Sequence, residues 1–415
     1  MISLHFSDSQ LEESQKVAAR QKLLAEECQL EANQFGTLFS DSLSFDVDQV
    51  AQKNCQNLVG QVAVPVGVTG PVEIHFNEIK DGSAAKAANV EPLAEEWFLP
   101  LATTEGALVA STQRGCKVLN QSGGVKVFVR NVGITRAPVF GCKDGASAID
   151  FRNWITNNFA QLQTLCQSTS AHLTLKEHQA WVRGRNVYVR FVFDTDQAMG
   201  MNMATIAIDY VWKEISKLHP DVKMVAISSN VCSDKKDSVI NRLYGRGYWV
   251  QAEVLIPFEV IKNVLKVKPS ALIETHVAKN LVGSNMAGSF SQNMQVGNLV
   301  AALFLATGQD LAHVTEASQA STSFEMTEDG VYAAVTLPDM PVGVVGGGTW
   351  LPAQSEARRL IHKGKDLTAT QLAAAVGVAA LAAEISGMAA ITSQTLASAH
   401  LAYGRSTTDS QKSQL

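Results

Sequence analysis

The 415-residue chain has six cysteines and no CxxC pair among them, which argues against a zinc ribbon and a thioredoxin-like redox site. Cys28, Cys55, Cys116, Cys142, Cys166 and Cys232 are scattered singly, a pattern that suits a reducing cytoplasm better than a disulfide framework. Basic runs are missing as well. Lys and Arg total 34 against 39 Asp and Glu, a net charge of −5, so no nucleic-acid footprint is expected. No apolar run reaches the ~20 residues needed to span a bilayer. The most apolar stretch, LAAAVGVAALAA (372–383), stops at Glu384 and reads as a buried helix of a soluble protein. Glu12 and Glu13 stand where a secretory signal would carry its apolar core. There is no G-x-G-x-x-G after a strand, no P-loop, no H-E-x-x-H and no G-x-S-x-G. A standard Rossmann site, a P-loop NTPase, a zincin and an α/β-hydrolase are therefore not supported.

What is present is an ordinary globular balance, 46% apolar and 18% charged. Residues 8–34 are charged and helix-prone, with Leu11, Leu23, Leu24 and Leu30 as the inward face. Residues 59–72 are rich in Val, Gly and Pro and predict short extended segments and turns. GGVKVFVR (123–130) and RNVYVRFVF (185–193) alternate as strands, with a helical pattern over 146–167 between them. A helix over 201–218 and a strand over 223–230 follow. This order predicts a compact α+β unit between about 125 and 229. Beyond it the chain reads as mainly helical, with small-residue helices at 293–310 and 368–402 separated by VGVVGGGTW (342–350).

Several stretches place one ionisable group among small residues, where it is costly unless used or paired. Glu105 in LATTEGALVAS is either a carboxylate favoured by a helix N-terminus or a reacting acid. TDQAMGMNMAT (195–205) is either a methionine-lined core face or a helix start that receives a phosphate through Gly200. NVCSDKKDS (230–238) is either a solvated turn or the site of a fixed cation. Asp310 in ATGQDLAH reads as a helix-end turn or an acid, and His400 in SAHLAYGRS as structural or reactive. VGGGTW is a connector or a backbone cradle.

Taken in order, QNLVGQVAVPVGVTGP, TTEGALVASTQRGC, AMGMNM, SDKK, KNLVGSNMAGS, ATGQDLAH, VGGGT and the His400 segment ending GRS resemble the class I 3-hydroxy-3-methylglutaryl-CoA reductases from about residue 55 to 406. The resemblance implies an α+β fold. Its large, mainly helical domain (55–125 and 229–415) surrounds a central helix and binds the substrate. A small ferredoxin-like domain (126–228) is inserted in it and binds the dinucleotide, and an N-terminal helical region covers 1–54. It also implies a homodimer or tetramer with active sites at the interface, QNLVG belonging to the dimer element; the lack of a membrane segment in the sequence predicts a cytoplasmic protein with no membrane anchor. The implied reaction is reduction of 3-hydroxy-3-methylglutaryl-CoA to mevalonate and coenzyme A with two hydrides from NADPH, NADH being the alternative. An oxidative, mevalonate-degrading member and a degenerate coenzyme-A-binding paralogue are the competing readings.

By resemblance the catalytic residues are Glu105, Lys235, Asp310 and His400. Arg136, Ser228, Asp234, Lys236 and Lys279 would hold the carboxylate end of the substrate, with Asn298 beside the thioester. Gly200, Met201, Asn202, Gly346, Gly347 and Gly348 would contact the dinucleotide; no metal is implied. Lys235 would stabilise the oxyanion, His400 would protonate the thiolate, Glu105 would supply the aldehyde's proton and Asp310 would orient Lys235. The sequence departs from the pattern at Gln56, Gln197 and Asp237, and at Ala171, where many NADPH-using members carry arginine; His172, Arg183 or Arg185 would have to compensate.

Overall fold

The computed structural model describes residues 11–28, 43–80 and 94–395. Among them, strands β1 (Val66–Glu78), β2 (Glu95–Ala102), β3 (Val125–Arg136), β4 (Val139–Gly141), β5 (Thr174–Arg183), β6 (Asn186–Asp194), β7 (Lys223–Ala226), β8 (Arg246–Pro257), β9 (Ser321–Met326) and β10 (Gly330–Met340) join into one sheet. Its main path runs β7–β4–β6–β3–β8–β10–β9; β1 pairs with β3, β2 with β1, and β5 with β6. Every ladder is antiparallel except β1 with β3.

Strand β3 holds the two halves together. Lys126 to Gly133 pair with β8, and Ile134 to Arg136 pair with β6. The ladder with β8 shifts register between Asn131 and Gly133, where Gly133 has φ +81°. Each half has its own core. One gathers Ile134, Phe140, Phe151, Ile155, Leu162, Val187, Phe193, Ile208 and Val211. The other packs the inner faces of β1, β2, β3, β8 and β10 against helices.

The helices used below are α1 (Glu13–Glu27), α2 (Val47–Lys53), α3 (Leu108–Gln121), α4 (Gly145–Asn157), α5 (Phe159–Gln167), α6 (Met201–Ile215), α7 (Val239–Tyr244), α8 (Val296–Thr307), α9 (Pro352–Ile361) and α10 (Ala369–Thr392). Helix α10 is apolar on all sides and starts in a capping box, Thr368 with Gln371. It is long and apolar enough to cross a membrane, yet 94% of its most apolar window is buried inside the protein. Small side chains let neighbours press close: a Cβ on Gly115 of α3 would stand 1.9 Å from the Ala382 carbonyl oxygen of α10.

Three sequence expectations change. The helix expected over 146–167 is two, α4 and α5, separated at Asn158, whose side-chain amide donates to the Trp154 carbonyl oxygen at 2.8 Å. Strand β5 was not anticipated; it pairs only with β6, and its charged face is exposed, so its alternation is blurred. The part after residue 229 is rich in helices as expected, but it also carries three strands that were not anticipated, β8, β9 and β10, which extend the sheet through it. The architecture is mixed α/β with a large antiparallel sheet that these helices pack against. Alternating burial along β8 was the available signal.

Candidate active site

The loop NVCSDKKDS is held at its backbone, although Lys235, Lys236 and Asp237 are exposed. Asn230, Ser233 and Lys235 have φ of 65°, 53° and 58°, a left-handed conformation that non-glycine residues adopt only when their surroundings impose it. Those surroundings are visible. The Thr135 hydroxyl donates to the Cys232 carbonyl oxygen at 2.8 Å, and the Asn241 amide donates to that of Ser233 at 3.2 Å. The Lys235 backbone N–H donates to Glu316 Oε1 at 3.2 Å. The result points the Lys235 ammonium at Asp310, 2.8 Å from Oδ2.

Asp310 arrives from the other direction. Helix α8 ends at Thr307, and Gly308 turns the chain with φ +74°. A side chain there would strike the Gly348 carbonyl oxygen at 2.4 Å, so only glycine fits. Asp310 then caps the turn Leu311–His313 by accepting the Ala312 N–H at 3.0 Å. Burial alone would raise its carboxyl; the Lys235 hydrogen bond, the Ala312 N–H and His313 outweigh it and hold the carboxyl below its ordinary range.

Beneath this pair lies a buried ionic cluster. Arg246 of β8, fully buried, donates to Glu316 Oε1 at 2.6 Å, to Asp234 Oδ1 at 3.2 Å and to the Thr135 hydroxyl at 3.1 Å. Arg136 Nη1 lies 4.0 Å from Asp234 Oδ2. Asn241 donates to Glu316 Oε2 at 3.2 Å and also to Asp339. Burial and the neighbouring Glu316 carboxylate push Asp339 well above the carboxylate range, whereas Arg246 and His313 keep Glu316 low despite its burial. Like charges this close cannot both ionise, and the carboxyl in contact with the guanidinium keeps the charge. Asp234, His313 and Glu316 are close enough together to ligate a metal. Arg246 already donates to both carboxylates, which does not fit a cation at the same place.

A cleft of about 770 Å³ opens over the cluster. Arg136, Asp234, Lys235 and Asp310 line it with Gly200, Met201, Asn202, Gly346, Gly347 and Gly348. Gly200 caps α6 with φ +90° and no side-chain cap bond, leaving the first-turn N–H groups to the cleft. Beside Gly346 and Gly347 there is nothing within 4 Å of where a Cβ would be, so backbone is open to close approach. Both features suit a pyrophosphate. The glycine loop is tied from both sides: the Val344 N–H donates to the Gln197 carbonyl oxygen at 2.8 Å, and Arg358 donates to the Val344 and Thr349 carbonyl oxygens at 3.0 and 2.8 Å. The Gln197 side chain accepts the Ala369 N–H at 2.9 Å, joining this loop to the start of α10.

The remaining candidates stand elsewhere. Glu105 is exposed just before α3, its N–H bonded to the Thr103 hydroxyl. Ser228 meets the Cys232 sulfur at 3.3 Å, and exposed Lys236 donates to the Asp234 carbonyl oxygen at 3.3 Å. Asn298 is exposed in the first turn of α8, and Lys279 acts on buried Glu384 of α10, which accepts the N–H groups of Met294 and Gln295 at 2.8 and 2.7 Å. His400 lies outside the described residues. His172 pairs with Asp196 at 2.9 Å, and Asp237 accepts from the Gln319 amide. Sequence reasoning missed Arg246, His313, Glu316, Asn241 and Asp339. An arginine inside an alternating strand and a His-x-x-Glu spacing after GQD were the signals.

The chain has clear relatives. The family model described as Hydroxymethylglutaryl-coenzyme A reductase matches residues 16–405. The 3-hydroxy-3-methylglutaryl-coenzyme A reductase of Halobacterium salinarum is 42% identical over 369 residues, covering 88% of this chain and 87% of that protein. That of Pyrococcus abyssi is 40% identical over 369 residues, covering 87% of each. Among solved structures, the class II 3-hydroxy-3-methylglutaryl-CoA reductase from Streptococcus pneumoniae bound to NADPH matches with a TM-score of 0.65 at 18% identity, covering 90% of this chain and 96% of that one.

Proposed function

The chain belongs to the hydroxymethylglutaryl-coenzyme A reductase family, and from that premise we propose that it reduces 3-hydroxy-3-methylglutaryl-CoA to mevalonate and coenzyme A in the cytoplasm. The observation that carries the reading is the Lys235–Asp310 pair at 2.8 Å, facing a cleft whose other wall is an uncapped helix start and an open glycine loop. A nicotinamide dinucleotide bound there supplies hydride. NADPH is the proposed form, the cofactor named for the Streptococcus pneumoniae structure. The class I assignment rests on the eight ordered sequence blocks.

Lys235 stabilises the oxygen that gains negative charge when the thioester is reduced, a fixed cation being worth most where charge develops. Asp310 holds that ammonium in place and charged. Arg136, Ser228, Asp234 and Lys236 hold the substrate's carboxylate. Glu105 supplies the proton for the aldehyde step, and His400 protonates the departing thiolate.

The assembly proposed is a homodimer, or a tetramer made of two such dimers, whose sites are completed across the interface. Asn298 and Asp310 flank opposite ends of α8, and its 12 residues span about 18 Å. That separation supports a site in which Lys279 and Asn298 of one subunit serve the Lys235 of another. A 55–125 plus 229–415 substrate domain with an inserted 126–228 dinucleotide domain remains the proposed division, and the two separate cores support it.

The test is direct. Purified protein is given the substrate with NADPH or with NADH, and nicotinamide absorbance is followed. Oxidation with a higher kcat/KM for NADPH is expected. A strong NADH preference sinks the cofactor choice, and no oxidation of either sinks the activity.

A further inference from the structure

His313 is fully buried, yet its ring reaches the cleft. Its Nδ1 lies against Glu316, and its Nε2 has no hydrogen-bond partner. That Nε2 is 3.6 Å from Asp310 Oδ2, the same oxygen that Lys235 contacts at 2.8 Å. An unpartnered buried ring nitrogen aimed at the acid of the candidate pair is an expensive arrangement to keep without a use.

The groups facing the ring decide which form it takes. Asp310 faces it from its own turn, Glu316 from the helical turn 314–317, Asp234 from the loop at 3.8 Å, and Arg246 from β8 at 3.4 Å. Asp339 of β10 stands behind Glu316, and Lys235 behind Asp310. A carboxylate only accepts, so Nδ1 must carry the proton it gives to Glu316. A bare lone pair on Nε2 would then point at the Asp310 oxygen and repel it, whereas an N–H there attracts it.

We propose that His313 is a positioning residue: anchored by Glu316 through Nδ1–H, it presents Nε2–H to Asp310 and so holds the acid in the ionised form and orientation that fix the Lys235 ammonium. The sequence Glu316–His313–Asp310–Lys235 is then one chain of charge-assisted contacts from the buried Arg246 cluster to the cleft. This rests on Lys235 and Asp310 being the reacting pair of the proposed reductase.

Two side chains separate the ring's two nitrogens. Asparagine can place an amide near Nδ1 and glutamine near Nε2. In the full-length protein, His313→Gln is expected to retain kcat within a few-fold. His313→Asn is expected to lose roughly 10- to 100-fold in kcat with little change in KM. In His313→Asn the acid limb of the kcat profile moves to higher pH, because losing a donor raises the Asp310 carboxyl. Equal losses in both variants with an unmoved profile overturn the proposal. Nitrogen-15 spectra of the wild-type histidines, with His313 assigned by the signal lost in the folded His313→Gln variant, read the ring's protonation directly and do not depend on the kcat of either variant. A protonated Nε2 at the pH of maximal rate is expected; a bare Nε2 there overturns the proposal even if the enzyme turns over. A wild type that shows the proton but turns over no substrate leaves the coupling standing and removes the reductase reading instead.

Discussion

At the scale of the residue, the two lysines of SDKK are the sharpest distinction. Lys235 is fixed in a left-handed conformation and directed at Asp310, whereas Lys236 extends along the surface with one bond to a carbonyl oxygen. Lys235→Ala is expected to lower kcat by roughly 10²–10³-fold. Lys236→Ala is expected chiefly to raise KM. Steady-state kinetics on both variants checks this, and equal mild effects would return the loop to a solvated turn. Lys235 and Asp310 were legible because each sits inside a recognisable block. Arg246, Glu316 and Asp339 were not, because what gives them meaning is pairing across 70 or more residues, such as Arg246 with Glu316, and local patterns do not carry it. Glu105 was legible as a candidate, and it stands exposed and outside the lining of the cleft that holds Lys235 and Asp310.

At the scale of the element, α10 carries two predictions. Buried Glu384 is pushed up to about 7 by burial, which outweighs its two backbone N–H partners and Lys279. Its folded-state value therefore lies above its unfolded value of about 4.3. The fold binds this proton more tightly, so the contribution to stability is fully present below about pH 4.3 and is lost as pH rises towards 7. Glu384→Gln should flatten that slope while costing about 1–3 kcal/mol for the acceptor it loses; urea midpoints at about pH 5 and pH 7.5 for both proteins read it. The second concerns the crossing with α3. A methyl on Gly115 has no room against the Ala382 carbonyl, so Gly115→Ala should lower stability by about 1–3 kcal/mol. An unchanged melting temperature would show that the helices separate at no cost. The helical character of α10 and α6 was readable from composition and spacing. Strand β5 escaped because an edge strand with a charged outer face alternates weakly, and β9 because six residues give periodicity little to show.

At the scale of the whole molecule, the separation of candidates along α8 sets an assembly test. If Lys279 and Asn298 complete a partner's site, Lys235→Ala and Lys279→Ala subunits are each inactive as homodimers. Mixed one to one and reassembled, they should recover about a quarter of wild-type activity, since half the dimers are mixed and each contains one intact site. No recovery, with mixed dimers shown to form, would place the whole site in one chain. The order of strands and helices predicted a compact α+β unit between about 125 and 229, but not the single sheet that runs through both cores. It is made by hydrogen bonds of β3 with β8 and β6, and no stretch of sequence records partners that far away.

That strand has a mechanical consequence. A part attached by a flexible linker can swing freely, but here β3 enters both cores and is bonded in each. Any turning of one core towards the other must therefore be taken up as torsion within a few residues. The register shift at Asn131–Gly133 is where β3 has given up regular pairing, and Gly133 is its most permissive residue. The protein is sprung at that point, and Arg136, three residues on, is carried round by whatever twist the spring allows.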